Sequence, residues 1–491
     1  MKKFLLLPLM FLAAGQVKAQ TADSAATKPA VDQGEEISKL SGRVDGLNEA
    51  FLETKNTVDK LAKLKVGGYI QMQWQHADSN GIGSVAGGNF GGTTNQRFQL
   101  RRVRLKSTYD AGTSQYIAEL EILPSGVSLK DAEIVVNEPW LKTFSAVGGL
   151  MDRPFGFEVG YSSSAHEAPE RARVFQTLFP GEKDLGVKLE INPPENMGFL
   201  HYFNAKGGVY TGTAGGSTPP NVVAMQPTKF AVRDSSGAKK DTLVINIPTG
   251  KAVPAANGDE IDSTVDFIGR LGFKAPFNDL NLDIDGGVSM YYGKSLSGND
   301  TVYQNLNDTA LFVTKGNKNM TFVREAYGAD AQIYYDIPYI GGISLRGEYV
   351  QGTMPGTINS SKNYGTAGSG VGTDFPKAYM ANRSFMGWYV SWIQNFGTKF
   401  QTVVKYDEYD PNTDVTGENI SGSATNKLSE QDLKYQTLGF GGIFYWDSNV
   451  RFTAYYDMVT NETINANSKF TAAWKDDLSD NVFTFRAQVK F

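Results

Sequence analysis

The sequence predicts an all-β chain, a sixteen-stranded antiparallel transmembrane β-barrel preceded by a short α-helical coiled coil. Three observations carry this. From residue 66 onward, segments of about ten residues alternate apolar and polar side chains, the length and pattern of tilted strands crossing a bilayer. The connections between these segments are alternately short and long, as in a barrel with tight turns on one side and long loops on the other. Ahead of them, apolar residues recur at 3-4 spacing, the period of a helix.

Composition agrees with one large β structure. Among 491 residues there are 53 Gly, 29 Phe and 23 Tyr, and no Cys. Without Cys there is no disulfide framework, no thiolate metal site and no cysteine nucleophile. The formal charge of −5 includes Lys2, Lys3 and Lys18 of an N-terminal leader; without them it is about −8, the opposite of a nucleic-acid-binding footprint. The mean hydropathy of −0.31 does not discriminate, because alternate residues of a water-filled barrel face water.

Residues 1–19 have a basic start, an apolar core from Phe4 to Ala14 and small residues flanking Lys18, which predicts a secretory signal cleaved before Gln20. The apolar run is too short for a membrane anchor. Residues 20–36 are polar and predict a disordered linker. Ile37, Leu40, Val44, Leu47, Phe51, Thr54, Val58 and Leu61 then follow a heptad spacing, with charges of both signs between them. This predicts a periplasmic coiled coil over 37–64; one amphipathic helix packed on its own domain is the alternative. β-Branched 'a' positions with Leu at 'd' lean toward two strands, whereas a threefold assembly of barrels wants three. Phe51 and Thr54 already break the two-strand pattern, and the trimer is the expectation adopted.

The barrel is predicted over 65–491. In 66–76, Ile70, Met72 and Trp74 alternate with glutamines. In 97–109, Val103 and Leu105 share one face while Arg102, Arg104 and Lys106 occupy the other. Further strands are expected at 114–123, 129–138, 144–152, 184–192, 199–208, 263–275, 281–292, 324–336, 340–351, 383–396, 398–409, 433–447, 449–460 and 480–491. The short connections are 110–113, 139–143, 193–198, 276–280, 337–339, 397 and 448. The long ones are 77–96, 153–183, 209–262, 293–323, 352–383, 410–432 and 461–479, with 124–128 a single short outer loop. A soluble sandwich has no reason for that asymmetry. Aromatics near strand ends, among them Tyr335, Trp392 and Trp446, match an interfacial girdle. The last segment puts Phe483, Phe485 and Phe491 on one face and Arg486 and Lys490 on the other. Phe491 there resembles the C-terminal signal read by the barrel-assembly machinery.

Four stretches carry a family resemblance: LRRVRLK at 100–106, VGGLMDRPFGFE at 147–158, PERARVFQTLFP at 169–180 and EKDLGVKLE at 182–190. Roughly collinear from Val66 to Phe491, they resemble the phosphate-selective porin O and P family of Gram-negative outer membranes. That resemblance implies a homotrimeric sixteen-strand porin whose third outer loop, here within 153–183, narrows the pore. It also implies a ladder of basic residues at the constriction, for which Arg171 and Arg173 in the loop, with Arg102, Arg104 and Lys106, are the counterparts. Glu119, Glu121, Asp131 and Glu133 fall on the same lumen face of the next two strands. Carboxylates close to guanidinium groups partly cancel their field, so a general pore for small hydrophilic solutes, with at most mild anion preference, is expected. The same pairs have a structural alternative, holding strands in register.

Other chemistry is weakly signalled. His76, His166 and His201 fall in separate segments, and His166-Glu167 lacks the second histidine of a zinc-protease helix. Asp410, Asn412, Asp414 and Glu418 offer oxygen ligands, but Gly417 comes too late for an EF-hand. No metal and no cofactor is expected. Two rival functions remain, an outer-membrane lipid hydrolase and a structural tether through the coiled coil. The expected partners are outer-membrane lipid, small hydrophilic solutes or anions, and further copies of this chain.

Overall fold

The computed structural model describes residues 33–491 apart from 181, 213–224, 234–238, 249–264, 298–299, 307–309, 315, 319, 358–379, 421–427 and 465–473. The expected signal, 1–19, and linker residues 20–32 lie outside the described residues. The chain divides into two compact units, Met1–Ala62 and Lys63–Phe491.

The first unit contains one helix, α1 (Gln33–Ala62). It starts four residues before the expected Ile37. Leu40, Val44, Leu47, Phe51, Val58 and Leu61 are all exposed on it; the side chain of Ile37 lies outside the described residues.

The second unit is a closed antiparallel barrel. Its strands are β1 (Leu64–Ala77), β2 (Gln96–Asp110), β3 (Ser114–Leu123), β4 (Gly126–Asn137), β5 (Phe144–Asp152), β6 (Lys183–Ile191), β7 (Phe203–Tyr210) and β8 (Asp266–Phe277). They continue with β9 (Leu282–Leu296), β10 (Thr321–Ile337), β11 (Gly341–Thr357), β12 (Met380–Phe396), β13 (Phe400–Asp410), β14 (Tyr435–Tyr445), β15 (Val450–Asn461) and β16 (Val482–Lys490). Each pairs with its neighbours in sequence, and β1 with β16 closes the ring. Gly68 and Phe491 exchange both backbone hydrogen bonds at the seam, at 2.9 and 3.0 Å. All sixteen expected segments are strands, because each reads from its own alternation and needs no partner to be recognised.

Two features depart from strict alternation. Opposite Gln71 and Met72 the register of β2 skips from Arg102 to Leu100, leaving Arg101 as the extra residue of a β-bulge. A second skip, opposite Glu119 and Leu120, leaves Lys130 unpaired in β4. Both bulges turn into the lumen a basic side chain that alternation assigns to lipid. The long loops also hold hairpins that were expected as plain loop, Met225–Arg233 with Lys239–Pro248 and Val302–Leu306 with Ala310–Thr314. The second runs parallel to the start of β12. His201, expected on a strand, lies in a 3-10 turn, Glu195–Tyr202, and β7 begins at Phe203.

The barrel is apolar outside and polar inside. On β16, Phe485 and Val489 are exposed while Arg486, Gln488 and Thr484 are buried. The largest buried apolar cluster lies inside the barrel and joins Phe155, Val174, Phe175 and Phe179 of the 153–182 connection to Tyr291, Tyr389 and other wall residues.

Candidate functional site

The connection after β5 does not stay outside. Arg153, wholly buried, donates to the carbonyls of Pro180 at 3.2 Å and Glu182 at 3.4 Å and lies over the ring of Phe179 at 5.2 Å. That closes the base of the loop. Below it, Lys183 bridges Asp152 at 2.8 Å and Asp131 at 2.5 Å. Phe155 stacks on Phe179 at 4.8 Å. Gly156 has φ of +59°, and a Cβ there would overlap the Glu348 carboxylate; only glycine fits this turn.

A short helix, α2 (Arg173–Leu178), packs its buried Val174, Phe175 and Leu178 into the apolar cluster on the barrel wall. Phe175 meets Tyr389 edge-on at 6.1 Å. Gly387 on β12 admits the helix, since a Cβ at that position would sit 2.6 Å from the Val174 Cβ.

Polar contacts then pin the loop around the wall. Glu170 accepts from Arg101 Nε at 2.8 Å, Arg102 Nη2 at 2.9 Å and Arg486 Nη2 at 2.9 Å. Arg486 also donates to the carbonyl of Pro169 at 2.7 Å. Glu158 accepts from Lys405 Nζ at 2.7 Å and from the Ala172 amide at 2.9 Å. Arg346 reaches Glu167 at 3.1 Å, and Arg451 donates to the His166 carbonyl at 2.8 Å. Charge-assisted bonds from β2, β11, β13, β15 and β16 thus hold one strap across the lumen.

Among solved structures, OprB of Pseudomonas putida, determined at high pH, superposes with a TM-score of 0.53 at 9% identity, covering 89% of this chain and 96% of that one. That likeness shows the fold. The outer membrane channel DcaP of Acinetobacter baumannii gives 0.46 at 11% identity over 87% and 97% of the two chains. An anion-selective porin from Comamonas acidovorans gives 0.46 at 10% over 87% and 99%. The sequence matches no family model and no curated relative.

The residues singled out from the sequence occupy distinct places. Arg171 faces its own loop: it pairs with Glu182 and donates to the carbonyls of Glu158 and Tyr161, both at 2.8 Å. Arg173 turns the other way, over the ring of Tyr435 at 4.0 Å, and lines a cavity of about 830 Å³. Arg102 ends on Glu170. Arg104 lies between Glu119 at 3.0 Å and Glu121 at 3.2 Å, and Lys106 reaches Asp131 at 3.6 Å and Glu119 at 3.9 Å. Glu121 also takes Lys130, at 3.3 Å. Glu133 has no ion-pair partner among the described residues. Sequence reasoning missed Arg101, Lys130, Glu158 and Lys405, and named Arg486 only as polar-facing. The bulges hid the first two, and nothing local marks the others.

The loop's ionisation states follow from these contacts. Burial disfavours the charged form of Glu170, but Arg101, Arg102 and Arg486 outweigh it and hold the carboxyl well below its ordinary range. Glu182 is similarly brought to about 2, against burial, by Arg171 and Arg104. His166 is held well below the ordinary imidazole value by burial first and then by Arg171, Lys405 and Arg102. A histidine depressed in the folded state contributes stability that is full above its unfolded value, about 6.5, and lost as pH falls below it, by up to about 1.4 kcal/mol per pH unit. Glu170 contributes in the same sense, but only below about pH 4. The strap is therefore expected to loosen as pH falls from 6.5 to about 5. His166→Gln should flatten that dependence, and single-channel recording across the range checks it.

Proposed function

We propose that the chain is an outer-membrane porin of a Gram-negative bacterium, a water-filled channel for passive diffusion of small hydrophilic solutes and ions, narrowed by the strap at 153–182. The observation that carries this is the strap itself, folded into the lumen and bound to the wall through Glu170 and three arginines. A barrel that served only as an anchor would have no need of an internal constriction. The expected result in planar bilayers is discrete, ohmic current steps. A barrel that runs as a folded band on gels yet never conducts would overturn the reading.

The anion preference implied by the resemblance to phosphate-selective porins rests on a basic ladder. Arg101, Arg102, Arg104 and Lys106 all end on carboxylates, which favours weak selectivity over a dedicated phosphate filter. A reversal potential close to zero in a salt gradient is expected. Strong anion preference with phosphate block would restore the specific reading. The lipid-hydrolase alternative draws no support from the histidines: His166 bonds the Tyr161 carbonyl and His201 the Pro193 carbonyl, each at 3.0 Å.

The exposed stripe on α1 supports a periplasmic coiled coil that joins copies of the chain into a trimer, with 1–19 as export signal and the linker shortened to 20–32 by the earlier start of the helix. The alternation of β16 supports insertion by the barrel-assembly machinery. Because the chain has no cysteine, a single Leu47→Cys substitution is a clean probe. Oxidative cross-linking between chains is expected at Leu47, and Phe51→Asn on the same stripe should suppress it by removing roughly 1.5–3 kcal/mol of burial per copy.

A further inference from the structure

Two cavities adjoin on the long-loop side of the strap. The larger, about 830 Å³, is walled by Tyr409, Tyr435 and Trp474. The smaller is lined by Asp407, Asp457 and Thr437, and Arg173, Asp480 and residues 83–85 line both. The walls are built from packed outer connections: Tyr435 and Trp474 rest on a cluster that includes Val415, Ile420, Leu433 and Ile464. A buried Arg383–Asp432 pair at 2.6 Å ties β12 to the same connections.

The charges lining these cavities do not balance. Glu170, Arg171 and Lys405 also line the smaller one, but each is committed to a partner in or against the strap. Asp407, Asp457, Asp480, Glu430 and Asp477 have no ion-pair partner among the described residues. Arg173, stacked on Tyr435, is the remaining cation of the lining. Three acceptors and one donor, Arg173 Nε, are also left over. Asp407 Oδ1, Asp480 Oδ1 and Thr437 Oγ1 are buried without a hydrogen-bond partner among the described residues, and the three side chains are 7%, 5% and 5% exposed. Buried acceptors without donors are costly, so a site that collects them is suited to a ligand that supplies donors.

We infer that these joined cavities bind solutes whose net positive charge is carried by ammonium groups, taken up from the long-loop side. This rests on the pore reading above. A primary ammonium offers three donors and a positive charge to the carboxylates, and the aromatic walls suit both the cation and its carbon chain. A neutral polyol supplies donors but leaves the carboxylates uncompensated. A bare metal ion fits poorly: no three acidic or histidine side chains among the described residues converge closely enough to hold one.

Calorimetric titration of the purified full-length protein with L-lysine, glucose and L-glutamate tests this, alongside bilayer recordings with each probe added on the long-loop side. Lysine is expected to bind at least about tenfold more tightly than the other two and to cause brief current blocks. Asp480→Asn should weaken lysine about tenfold, and Glu430→Gln, at a partly exposed position outside the strands, several-fold. Glucose binding as tightly as lysine would make the cleft a polyol site, and tighter glutamate binding an anion site; either overturns the inference. So does an unchanged lysine affinity in both variants, or no binding of lysine. Lysine binding without conductance would leave the site standing and remove the pore, whereas conductance without lysine binding would do the reverse.

Discussion

Glu170→Gln is expected to loosen the whole strap. In the native chain one carboxylate is shared by Arg101, Arg102 and Arg486, with side chains 26%, 7% and 4% exposed. An amide leaves three guanidinium groups facing one another without a counter-charge. Breaking a buried pair in this way costs about 3–5 kcal/mol, and the wet lumen argues for the lower part of that range. The tip of the strap should therefore spend much of its time off the wall. Single-channel records should show larger and noisier steps, while the barrel still runs as a folded band on gels, because Glu170 takes no part in the strand ladder. Steps of native size and quietness would show that the apolar contacts alone hold the strap.

Those apolar contacts are addressed by Gly387→Leu. The side chain would start 2.6 Å from the Val174 Cβ, where overpacking costs typically about 1–3 kcal/mol. Since β12 is held on both edges by β11 and β13, α2 is the part that gives. It is expected to move toward the pore axis and reduce conductance. Val174→Ala in the same chain should recover much of the loss, because it returns the volume taken by the new side chain. A double-mutant comparison of conductance reads the coupling directly. Independent effects of the two substitutions would mean that they do not meet.

The two variants probe parts of the molecule that were not equally legible in its sequence. The bounds of β3 and β5 coincide with those expected from alternation, at 114–123 and 144–152, and the short turns fall where they were read, except that 193–198 runs on to Tyr202 as a 3-10 turn. The partners of the strap were not legible. Glu170 lies 69 residues from Arg101 and 316 from Arg486, and their meeting depends on the path of a loop with no period of its own. Arg171 and Arg173 look alike in sequence, two residues apart, yet one closes the strap on itself and the other faces the outer cavity. The turn into α2 separates them.

By itself, then, the sequence determined the barrel: its sixteen strands, their order and which end carries the loops. Those properties follow from side-chain alternation and turn residues, and each can be read within about ten residues. Only the tertiary structure decided what lies inside. A bulge at Arg101 and another at Lys130 reverse the facing that alternation assigns, and a glycine at 387 makes room for α2. Carboxylates drawn from distant strands then settle which cations remain free. The physical reason is range: a strand is specified by its neighbours along the chain, whereas a buried charge is specified by whatever the closed ring brings within about 4 Å.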